Sequence, residues 1–155
     1  MTEKDIWSWI ENFVEKNHKF YDYKFPPCPF AKSARLKNLV SVSVYHEGSM
    51  TDFIKNKTYD LINNDQHVCV MAFPDRVKWY LHVHWFIRKF NKKIIPNDYY
   101  IQYGKTDKFF VIIVNKLSNV LSGHQTLLST NYYKNWDDDH YKKVVTRRQH
   151  EYENL

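Results

Sequence analysis

Glycine is nearly missing from this chain: Gly48, Gly104 and Gly123 are the three among 155 residues. Loops that cradle phosphates need several glycines close together, because the main chain must adopt positive φ and approach the ligand closely. A dinucleotide fingerprint, a P-loop and a Gly-x-Ser-x-Gly nucleophile elbow are all absent, which removes the commonest nucleotide and hydrolase chemistries. Cysteine is equally scarce, at Cys28 and Cys69. Two thiols build neither a disulfide framework nor a zinc site of cysteine pairs, and Cys69 lies in an apolar run, so a reducing compartment is expected. No apolar run reaches membrane-span length. The polar, acidic start Met1-Thr2-Glu3-Lys4-Asp5 does not read as a secretory signal. A cytoplasmic location follows as the expectation.

Aromatic residues, by contrast, are plentiful, with 12 Tyr, 10 Phe and 5 Trp. Large rings bury much area per residue, so one domain over residues 1–155 can close a full core. Lys and Arg outnumber Asp and Glu by 23 to 17, a net charge of +6. That excess favours anionic partners such as nucleic acid or an acidic protein, although it also serves solubility.

Residues 2–17 read as an amphipathic helix. Thr2 and Asp5 form a capping box, and Ile6, Trp9, Ile10, Phe13 and Val14 form the buried stripe. In Pro26-Pro27-Cys28-Pro29, Cys28 takes an N-cap position and Pro29 the first position of a short helix ending near Leu36. Val40, Val42 and Val44 alternate with serines, the mark of a half-buried strand. Ser49 caps a helix with Phe53, Ile54, Leu61 and Ile62 inward, and Asn63-Asn64-Asp65 ends it. Val68–Phe73 is continuously apolar, as a central strand is. A third helix spans 75–93. Strands at Tyr99–Tyr103 and Phe109–Val114 flank a Gly104-Lys105-Thr106-Asp107 hairpin loop. A helix at Ser118–Leu128 follows, then one from Asp137 whose acidic first turn suits the helix dipole. The order β-α-β-α-β-β with terminal helices predicts a mixed four-stranded sheet of the α/β class, with α+β as the alternative.

Two features could carry chemistry. Cys28 at a helix N-terminus, with Lys32 one turn on and Arg35 nearby, is placed to favour thiolate. His46, at a strand end, is the candidate base for such a nucleophile. Packing offers the plainer account, a small apolar anchor beside Phe25 and Phe30. Cys28-Pro29-Phe30-Ala31-Lys32, followed by a strand and two αβ units, resembles an uncharacterised bacterial domain family with a Cys-Pro-Phe-Ala loop near its N-terminus. The likeness runs from Cys28 to about Tyr103. It extends to Thr146-Arg147-Arg148, which roughly matches a family segment ending in Leu-Arg-Glu. Gln102-Tyr103-Gly104 stands where that family has Phe-His-Pro. The Lys-, Asn- and Tyr-rich composition also resembles small marine-phage proteins, which implies a host cytoplasm. These likenesses imply a fold and no activity.

The second feature is the helix at 75–93. Trp79, Val83, Phe86, Ile87 and Phe90 share one arc, while Lys78, His82, Arg88, Lys89, Lys92 and Lys93 share the other with Trp85 and Leu81. No acidic residue follows Asp75 there. Cations interleaved with an aromatic suit phosphates and a stacking base, a membrane surface or an acidic groove; a solvated face is the plain alternative. His82 and His84 point apart on a helix and cannot chelate one metal, and no cofactor motif is present. The leading expectation is a non-enzymatic module that binds nucleic acid or an acidic protein, a host protein included. The alternative is a thiol-dependent enzyme centred on Cys28.

Overall fold

The computed structural model describes residues 1–74 and 80–154. The valine–serine alternation forms β1 (Val40–Val44), and the apolar run forms β2 (Val68–Pro74), parallel to β1. The hairpin strands β3 (Tyr99–Lys105) and β4 (Phe109–Lys116) complete a mixed sheet of order β1-β2-β4-β3. β4 lies antiparallel to both neighbours, so β2 and β4 are central and β3 is an edge. This is the expected α/β architecture with flanking helices.

Two crossovers set the layers. The helix after β1 is α3 (Met50–Asn63), and the helix after β2 is α4 (Tyr80–Ile94). Both carry the chain the same way across the sheet, so connections of one hand put both on one face. There Ile54 and Leu61 of α3 meet Val83, Ile87, Phe90 and Ile94 of α4 over Met71, Phe73 and Ile112. Ser49 caps α3 as expected, its hydroxyl accepting from the Asp52 N–H at 3.3 Å. The opposite face is covered by α1 (Glu3–Trp9), where Ile6 and Ile10 pack on Val42, Val44, Val70 and Ala72. Each such side chain contributes roughly 1.5–3 kcal/mol by burial. Asp5 accepts the Thr2 N–H at 2.6 Å, closing the N-terminus of α1.

Three local expectations are corrected. The first helix does not run evenly to residue 17. It changes to a π turn over Ile10–Val14, and the wider winding swings Phe13 out of the apolar stripe to 43% exposure. The short helix α2 spans Ala31–Leu36 with Phe30 at its N-cap, so Cys28 is not the capping residue. Gly104 belongs to β3, opposite Val111, rather than to the loop. Thr106 organises that turn instead, its hydroxyl accepting from Phe109 N–H at 3.0 Å. In α5 (Leu117–Leu128), Leu128 is exposed while Gly123 and His124 are buried.

The C-terminal segment starts where the aspartates predict. Asp137 accepts the His140 N–H at 2.6 Å and caps α6 (Asp138–Tyr141). A π turn over Lys142–Thr146 leads into α7 (Arg147–Glu153). Tyr100 of β3 donates to Glu151 at 2.9 Å and holds α7 against the sheet edge.

The edge of β3 is closed by one side chain. Asn91 of α4 is 2% exposed. Its amide accepts from Ile101 N–H at 2.8 Å and donates to Ile101 C=O at 3.1 Å, standing in for the missing neighbour strand. Asn91→Ala leaves two buried backbone groups unpaired. It is expected to cost about 3 kcal/mol, read as a lower urea midpoint at unchanged slope; a loss below about 1 kcal/mol would show that the edge does not depend on this amide.

Candidate anion-binding face

The buried stripe of α4 decides what faces water. Val83, Ile87, Phe90 and Ile94 lie on one arc against the sheet. The 3.6-residue period then turns His82, Trp85, Arg88, Lys89, Lys92 and Lys93 outward, and all six are exposed. Trp85 is 61% exposed, its ring edge-on to His84 at 6.4 Å. Arg88 and Lys92 stand one turn apart, as do Lys89 and Lys93, with Trp85 between the two rows. Among the described residues, none of these four cations forms an ion pair. Asp75, Lys78 and Trp79 lie outside the described residues, as does the side chain of Leu81.

One flank of α4 borders the sheet edge. His84 hydrogen-bonds the Tyr103 hydroxyl. Partial burial, then Arg147 and Arg88, hold the His84 pKa below its ordinary value. Arg147 is shared with Glu151 at 3.2 Å. Past Tyr103 opens a groove of about 1170 Å³ between α1, the β3–β4 hairpin and the C-terminal helices, lined in part by Phe13, Gly104, Lys105, Lys143 and Arg147. The sequence reading did not find this groove. Exposed Phe13 and Gly104 of β3, two of the corrected positions, are part of its lining.

The structure takes Cys28 in another direction. Its N–H donates to Val14 C=O at 3.1 Å, and its loop is clasped by Tyr132, whose hydroxyl donates to Pro27 C=O. Phe30 beside it packs against Gly123, where a Cβ would come within 2.7 Å of the ring. Burial pushes the Cys28 thiol above its ordinary pKa, against the backbone N–H groups of Phe30 and Ala31 that would lower it. Arg35, expected to support a thiolate, is taken by Glu15 at 2.7 and 2.9 Å and by Glu11 at 3.4 Å. Lys32 is exposed and does not figure among the groups acting on the thiol. His46 follows the far end of β1, exposed, and among the described residues no hydrogen bond joins it to Cys28. Cys28 is half-buried in this loop, and its surroundings favour the neutral thiol.

A second unexpected group lies behind that clasp. Arg148 is 5% exposed, and among the described residues its Nε has no hydrogen-bond partner. His124, 7% exposed, hydrogen-bonds the Tyr133 hydroxyl at 2.7 Å. Burial, then Arg148, lowers the His124 pKa. Among the described residues no three His, Cys, Asp or Glu side chains gather as metal ligands, and no helix is long and apolar enough to cross a membrane. No protein-family model, curated protein or solved structure matches this chain.

Two predictions follow from these groups. Alkylation of Cys28 by iodoacetamide in the native protein should stay slow until the pH exceeds that at which a free cysteine reacts; a fast reaction at neutral pH would reinstate the nucleophile. His124 and His84 stay neutral in the fold below pH 6.5, where the unfolded chain takes up protons. Stability from these groups is therefore constant above about pH 6.5 and declines as pH drops toward their lowered folded values. The urea midpoint should be lower at pH 5 than at pH 7.5, and His124→Gln should shrink that difference.

Proposed function

We propose that this protein binds nucleic acid through the outward face of α4. The observation that carries the reading is two cation rows, Arg88 with Lys92 and Lys89 with Lys93, without an ion pair among the described residues and flanking the exposed ring of Trp85. Lys92 and Lys93 sit in the last turn, where the helix dipole alone favours them. Arg88, Lys89 and Trp85 have no such explanation. Each row repeats at one helical turn, about 6 Å, a spacing that suits successive phosphates of one strand better than the scattered carboxylates of an acidic protein. Trp85 adds a stacking surface between the rows.

The test is fluorescence anisotropy with a labelled oligonucleotide across a range of salt concentrations. Affinity should fall steeply with salt. Neutralising Arg88 and Lys89 together as Gln should weaken binding at least tenfold and flatten the log–log salt slope by about 1.4–1.8, the contribution of two phosphate contacts. Trp85→Ala should weaken binding and leave that slope unchanged. Wild-type affinity in the double variant, or equal competition by polyglutamate, overturns the reading.

A further inference from the structure

We infer that the groove beside α4 receives an unpaired nucleobase, so that the strand held by α4 is single-stranded rather than duplex; this deepens the α4 reading and rests on it. The groove has a floor, a wall and a rim of different chemistry. On the floor, Gln102 lies opposite Ile113 and Gly104 opposite Val111. A Cβ added at Gly104 would meet nothing within 4 Å, so the floor is open at that point. The wall is Phe13, stacked on Trp9 at 6.1 Å and 21° and itself 43% exposed. At the rim stand Lys105, Lys108, Lys143 and Arg147 against Asp5 and Asp107.

The groove also adjoins the α4 face. Arg88 and Arg147, one from α4 and one from α7, both lie close enough to His84 to bear on its charge, and the His84 partner Tyr103 lines the groove. A strand laid along the α4 cations can therefore pass Arg147 and turn a base toward Phe13. Stacking on an aromatic ring accepts any base, because every base has a π-face. A duplex keeps its bases paired and stacked, and extruding one costs a few kcal/mol that a strand with free bases does not pay. A groove with an open floor, an aromatic wall and a cationic rim thus selects strands whose bases are already free.

Anisotropy separates the possibilities. Labelled oligothymidylate should bind at least tenfold more tightly than its duplex with oligoadenylate. Phe13→Ala should weaken the single strand about fivefold or more, with the salt slope and the duplex affinity unchanged. Gly104→Val places a side chain in open floor space on a strand that favours β-branched residues. It should fold normally and abolish the preference for the single strand. Should single strand and duplex bind α4 equally and both variants behave as wild type, the groove inference is overturned while the α4 reading stands. Should neither nucleic acid bind, both fall.

Discussion

Four apolar side chains of α4, sealed against the sheet, determine where most of the notable surface goes. Val83, Ile87, Phe90 and Ile94 occupy one arc. Helical geometry then sends Asn91 and His84 to the β3 edge and the cations outward. The energetics favour this arrangement decisively. Burying four such side chains contributes roughly 6–12 kcal/mol. Placing like charges about 6 Å apart in water costs only about 0.7 kcal/mol per pair, less with salt. The core can therefore hold a row of mutually repelling cations in place, and neutralising carboxylates are not needed to make the helix stable.

The same arithmetic explains what the sequence reveals. Strong periodicity survives folding: Val40, Val42 and Val44 alternate, the 68–73 run is central, and Val83, Ile87 and Phe90 of the α4 stripe are buried, with Phe86 half-buried beside them. Those patterns each reflect several side chains acting together. The features that escape the sequence depend on single residues. One extra residue per turn at Ile10–Val14 rotates Phe13 into solvent, and no spacing rule marks where a helix will take that wider winding. Gly104 reads as a turn residue, yet the hydroxyl of Thr106 can organise the turn and lets the strand run on to Lys105.

Charged residues mislead in a more systematic way. Arg35 looks like a free cation near Cys28, but Glu15, with a side chain only 5% exposed, holds it in a bidentate pair. Arg148 looks like one more basic residue of a solvated helix, but it is buried among tyrosines. A sequence shows that a charge exists and not what faces it across the fold. Only three-dimensional placement shows which acidic residues are engaged: Glu15 and Glu11 with Arg35, Asp65 with Lys116, Asp139 with Lys143.

That division of partners bears on where a polyanion meets the protein. A net charge of +6 spread evenly would give a weak, directionless field. Here Glu3 and Asp5 open α1 and Glu11 and Glu15 lie on and just past the π turn that follows it, whereas the described part of α4 contains no acid at all. On the proposed reading, this leaves α4 as a stretch along which phosphates meet cations without a neighbouring carboxylate on the same helix. Arg147 of α7 and Lys143 of the π turn before it hold their positions through Glu151 and Asp139, which fixes their geometry while reducing their pull. On the proposed reading, encounter begins at the cation rows of α4, and the groove beyond Arg147 is reached second, by a strand already held.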